Sequence, residues 1–181
     1  MLDKFKPPER MLRSIGYGIT LIGSRRSFES AWMELTVPTF KDKGHYRYVS
    51  GALIGAVRDF FSAKIGDESL LDRGLLDKIF REICMNSAEH NNKKDAAKRI
   101  ELCCWFGEKG FVLGVSDEGD YFRQSSTKKM FENRVRPSKF PVGWDSGLDW
   151  IFDPNVTDIY IDIEKGVLYL SFLIKPLIFN T

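Results

Sequence analysis

From Leu71 to Ile83 a branched apolar residue returns at every fourth position (Leu71, Leu75, Ile79, Ile83), and Leu76 and Phe80 widen the stripe. That period belongs to one face of a helix, and a face this apolar has to be buried. The helix, read from about Leu70 to Asn91, therefore lies on a core. Glu82, Asn86 and Glu89 line the neighbouring polar face. Glu82 and Asn86 stand one turn apart, roughly 6 Å along the axis. At that spacing the amide oxygen of Asn86 can hold a hard cation while the Glu82 carboxylate handles a water or a proton. His90 reads as a helix-terminal structural residue. The cations Lys93 and Lys94 suit the negative end of the helix dipole, so the helix should stop near them.

A chain of 181 residues with 43% apolar composition makes one domain with a real core. Its 27 basic and 25 acidic side chains nearly cancel, leaving +2, which argues against a nucleic-acid groove and against an anionic membrane surface. Cys84, Cys103 and Cys104 have neither disulfide-framework nor zinc spacing and read as reduced thiols. No apolar run reaches spanning length, and Met1 to Pro8 lacks the apolar block of a secretion signal. A soluble, cytoplasmic protein is expected.

Residues 1–30 read as an N-terminal extension, available for a homodimer contact, with an extended lead at Pro7-Pro8 and a short strand at Ile19–Ile22. Residues 31–181 read as the domain proper. Trp32 to Val37 is a predicted strand stopped by Pro38, followed by a helix from Tyr46 to Ile65 whose apolar face is Val49, Leu53, Val57, Phe60 and Phe61. Arg99 to Phe106 and Phe111 to Ser116 read as strands joined by a turn at Gly107–Gly110. Val156 to Ile163 and Val167 to Ile174 form a closing hairpin, and Gly147 to Phe152 a short helix. Residues 117–146 are polar and without period; residues 120–142 are expected as a flexible lid. In it Lys128, Lys129, Arg134, Arg136 and Lys139 make a basic surface, ordinarily solvated, from which a cation can reach an anion. The architecture expected is an α/β (α+β) two-layer sandwich, a mixed sheet covered on one face by helices.

Two further islands carry chemistry. Asp117 leaves a strand, where its carboxylate can accept a hydrogen bond from an exocyclic amine, and Gly119 lets a flat ring approach the backbone. That suits adenine. Gly143 and Gly147 open a helix, leaving backbone amides free for phosphate oxygens. That suits a polyphosphate.

With these islands in this order the chain resembles the GHKL ATPase superfamily, and within it the small anti-sigma-factor serine kinases. Glu82, Asn86 and His90 match the glutamate, magnesium-binding asparagine and histidine of that family's first helical motif. Asp117 and Gly119 match its adenine-binding motif, and Gly143, Gly147 and Leu148 part of its second glycine-rich motif. The resemblance covers roughly residues 32–176. It implies the GHKL ATP-binding fold, ATP and Mg²⁺ as cofactors, Asn86 as the metal ligand, Glu82 as general base, and a regulatory protein partner of the anti-anti-sigma kind bearing the acceptor serine. Tyr121 stands where the adenine motif has its second glycine, and Asp145 where the later motif has another. Val167 falls near where relatives place a threonine beside the base. Tyr121 and Asp145 point to the alternative, a non-catalytic binding module of the same fold in protein–protein regulation.

Overall fold

The computed structural model describes residues 4–17, 31–38, 73–107, 109–134 and 156–173, with isolated positions between 48 and 59. Five strands, β1 (Ala31–Pro38), β2 (Arg99–Gly107), β3 (Gly110–Asp117), β4 (Val156–Asp162) and β5 (Val167–Leu173), form one sheet in the order β1-β2-β3-β5-β4. The helices are α1 (Glu9–Ser14), α2 (Arg73–Asn86) and α3 (Ser125–Glu132). The described positions between 48 and 59 are also helical, inside the helix expected from Tyr46 to Ile65.

The chain is thus α+β, but its sheet departs from the mixed one expected. All four described pairings are antiparallel. Short turns join β2 to β3 and β4 to β5, and turns that short reach only an antiparallel neighbour.

Strand alternation sends two sets of side chains to two cores. Ile100, Leu102, Cys104 and Phe106 of β2, Phe111, Leu113 and Val115 of β3, and Leu168, Leu170 and Phe172 of β5 face α2. There they meet Leu76, Ile79, Phe80 and Ile83, the stripe that opened the sequence. Phe111 stacks on Phe172 at 4.6 Å, and Phe80 meets both rings edge-on at 6.1 Å. A phenylalanine buried this fully contributes about 2–3 kcal/mol from apolar area alone.

Helices were expected on one face only, yet the second face is covered too. Phe5, Met11 and Ile15 pack on Cys103, Trp105, Val112, Val167 and Tyr169. Gly114 makes room for this layer: a Cβ there would stand 3.0 Å from Phe5, 3.1 Å from Trp105 and 3.2 Å from Tyr169. The Lys6 amide donates to the Tyr169 hydroxyl at 2.7 Å, and Lys109 N–H to the Ile15 carbonyl at 2.8 Å. Lys4 pairs with Glu101, and Arg10 with Asp158 at 2.9 Å. Both faces being covered explains why β2 and β3 read as nearly continuous apolar runs.

The lid expectation also needs correction over its first half. Tyr121–Arg123 is a 3₁₀ turn and α3 follows it, with Phe122 and Phe131 buried in the α2-side core. Only Thr127 and Phe131, one turn apart, are buried on α3, too few to register as a period. Of the basic residues named for it, Lys128 and Arg134 are engaged along β4, Lys129 is exposed, and Arg136 and Lys139 lie outside the described residues. Lys128 Nζ lies 4.7 Å over the Tyr160 ring, and Arg134 donates to the Val156 carbonyl. Glu132 accepts the Ile161 N–H at 3.1 Å, satisfying an amide of this edge strand. Among the described residues no helix is long and apolar enough to cross a membrane.

Candidate functional site

The end of α2 and the end of β3 meet, and polar side chains make the junction. α2 passes at Asn86 into a π-helical turn, Ser87–Asn91, closed by the Asn92 N–H donating to the Ser87 carbonyl at 2.8 Å. Ser87, Ala88, Asn91 and Asn92 are buried, while Glu82, Asn86, Glu89 and His90 are half-buried. The chain leaves the turn through Lys93 and Lys94 at φ of 55° and 59°, while the Lys94 amide reaches back to the Ala88 carbonyl at 2.8 Å. Two consecutive non-glycine residues in the left-handed region cost about 1–2 kcal/mol each. The helix end is held tightly enough to sustain that.

Two adjacent asparagines do the holding. Asn91 Nδ2 donates to Asp117 Oδ2 at 2.5 Å. Asn92 Oδ1 accepts the Glu118 N–H at 3.1 Å, and its Nδ2 donates to the Arg99 carbonyl, also at 3.1 Å. Glu118 in turn accepts the Arg99 N–H at 3.0 Å. Asp117 Oδ1 accepts the Gly119 N–H at 3.0 Å, a turn local to the loop. Gly119 sits flat against the helix end: a Cβ on it would lie 2.4 Å from the Asn91 carbonyl oxygen. The glycine is required here by the close approach of Asn91.

Asp117 is 4% exposed. Burial pushes its carboxyl pKa up, and the donors Asn91 and Gly119, the nearby Ser87 hydroxyl and the charge of Lys4 pull it back down. The wholly buried Ser87 hydroxyl makes no hydrogen bond of ordinary length among the described residues, and the acceptor it acts on is Asp117, whose pKa it lowers. Burial also lowers the pKa of His90, which Glu89 raises and Lys94 lowers. That favours a neutral imidazole at the helix end.

The structure brings Asp117 and Gly119 against the helix that carries Glu82 and Asn86, but the contact runs through Ser87, Asn91 and Asn92. These three were not among the residues singled out from the sequence. A signal for two of them was present: Ser87 and Asn91 continue the four-residue spacing of Leu71, Leu75, Ile79 and Ile83. They are polar residues in a core-facing register. Gly143, Asp145, Gly147 and Leu148 lie outside the described residues. Tyr121 is half-buried, its ring 5.8 Å from Phe122 and 6.2 Å from Phe131. Burial holds its phenol protonated far above the usual range, with Thr127 bonding to it. Val167 is buried against the N-terminal layer rather than in the α2-side core. Among the described residues no three His, Cys, Asp or Glu side chains are grouped to hold a metal ion.

Compared with models of known protein families and with curated protein sequences, the chain matches none.

Proposed function

We propose that the protein is an ATP-binding regulatory domain of the GHKL type, working in the cytoplasm as an anti-sigma-like serine kinase. The observation that carries this reading is the buried Asp117 carboxylate at the end of β3, tied through Asn91 to the end of the helix that bears Glu82 and Asn86. Adenine presents an amine donor next to a ring-nitrogen acceptor. Asp117 answers the first.

ATP supplies the transferable phosphoryl group. Asn86 would offer one neutral oxygen to Mg²⁺, whose remaining ligands would be nucleotide oxygens and water, as is usual for this ion. Gly143, Gly147 and Leu148 are assigned to the phosphates. Glu82 would take the proton of a protein serine as its oxygen bonds to the γ-phosphorus, the bond to the bridging oxygen breaks and ADP departs. The partner is a regulatory protein that presents this serine.

Calorimetric titration with ATP and ADP, with and without magnesium, tests the reading. Micromolar binding should depend on magnesium, and Asn86→Ala should remove that dependence. Unchanged affinity in the variant overturns the assignment. The second reading, a binding module without turnover, is favoured by Tyr121, whose ring packs on Phe122 and Phe131 where the resemblance expects a glycine. γ-Phosphate release with candidate protein partners separates the two: turnover abolished by Glu82→Gln supports the kinase, and no Glu82-dependent turnover supports the module.

A further inference from the structure

We propose that Asn91 is a positioning residue for base recognition: it fixes the Asp117 carboxylate relative to the helix bearing Glu82 and Asn86, so that the free lone pairs of Asp117 meet an exocyclic amine. The proposal rests on the reading of Asp117 as the base-recognising group.

An ionised carboxylate has about four acceptor sites, and two are filled, one on each oxygen, by Gly119 N–H and Asn91 Nδ2. These two donors are not equivalent. Gly119 is two residues from Asp117 and moves with the same loop, so its bond sets the local turn but cannot set the carboxylate against anything else. Asn91 is 26 residues away on the π-helical turn and ties the carboxylate to a different part of the fold. Asn91 is itself immobilised. It is 6% exposed, and Gly119 lies against its carbonyl and Cβ so closely that no methyl group fits between them. An acceptor-only carboxylate also decides which end of the Asn91 amide faces it, since only the NH₂ end can donate. The donors use one site on each oxygen, and the Ser87 hydroxyl acts on the same carboxylate. The other charged group acting on Asp117 is Lys4 from the N-terminal layer, itself paired with Glu101.

The experiment compares ATP with purine riboside triphosphate, which lacks only the amine, in the full chain and in Asn91→Ala and the near-isosteric Asn91→Asp. The wild type should prefer ATP. Losing a hydrogen bond to a charged group should weaken ATP binding about ten-fold and leave the amine-free nucleotide unchanged, so the preference collapses. A preference that survives in both variants overturns the proposal. A wild type that does not discriminate overturns the base-recognition reading instead. The Asn91 assignment is then decided without nucleotide, by NMR titration of the Asp117 carboxyl. A midpoint moved upward in Asn91→Ala supports it, and an unmoved midpoint overturns it. A merely structural loss would weaken both nucleotides equally, which also counts against positioning.

Discussion

Gly119→Ala puts the junction between helix end and strand end under the most direct strain. The new Cβ would lie 2.4 Å from the Asn91 carbonyl oxygen, 2.6 Å from its carbon and 2.7 Å from the Asn91 Cβ. Carbon atoms in contact settle at about 3.5–4.0 Å, so relief needs a shift of about 1 Å, and two of the three obstructing atoms are backbone. A shift of that size would stretch the Asn91–Asp117 bond of 2.5 Å and the Asn92–Glu118 bond of 3.1 Å toward or past the hydrogen-bonding limit. Overpacking of this kind costs about 1–3 kcal/mol, and each weakened bond about 1 kcal/mol more. One effect opposes them. Gly119 does not have a positive φ, so alanine is conformationally allowed and gains about 0.4–1 kcal/mol by restricting the unfolded chain. The contact wins, with a net loss of about 2–4 kcal/mol. For a chain of this size that lowers Tm by about 5–12 °C. Thermal unfolding followed by circular dichroism reads the shift, and urea unfolding with an unchanged slope shows that the folded state lost the stability. A Tm within about 2 °C of the wild type, with Asn91 and Gly119 amide resonances unmoved, would refute the account of why a glycine stands there.

Two other predictions concern the same corner. Lys94→Gly should raise the urea midpoint by about 0.5–1 kcal/mol equivalent, because glycine accepts the φ of 59° without a Cβ clash; no gain would mean the left-handed turn is not strained. Asp117 should make stability fall with pH relative to Asp117→Asn. Its carboxyl pKa is raised by burial above the ordinary 3.8, so below 3.8 both states are protonated and there is no penalty. The unfolded chain ionises first as pH rises, stability drains away up to the raised folded value, and the full penalty persists above it. Urea unfolding of both proteins from pH 3 to 8 should show this falling difference, and a rising difference would contradict it.

The sequence made the strands legible because they are short apolar runs bounded by turn residues: Arg99 to Phe106 and Phe111 to Ser116 flank the turn Gly107–Gly110. The stripe from Leu71 to Ile83 was equally plain, since one helix face suffices to display it. The second layer was not readable, because Phe5 is buried through a slot that exists only where Gly114, Trp105 and Tyr169 come together from three strands. α3 was hidden for a related reason, as two inward residues cannot establish a period. At the site, Asp117 and Gly119 stood out by residue type. Asn91 did not, because a polar side chain gives no apolar signal, and only its place four residues beyond Ser87 on the line of the Leu71–Ile83 stripe marks it as inward-facing.

Cys103 and Cys104 are neighbours on β2, yet each is sealed in a different core, the first beneath Phe5 and Met11 and the second beneath α2. Burial also holds the Cys104 thiol in its unreactive protonated form. A small alkylating reagent therefore finds two reporters one residue apart on opposite sides of a single strand. Adduct at Cys103 counts departures of the amino-terminal layer, adduct at Cys104 counts departures of α2, and their ratio ranks the two breathing motions of this chain.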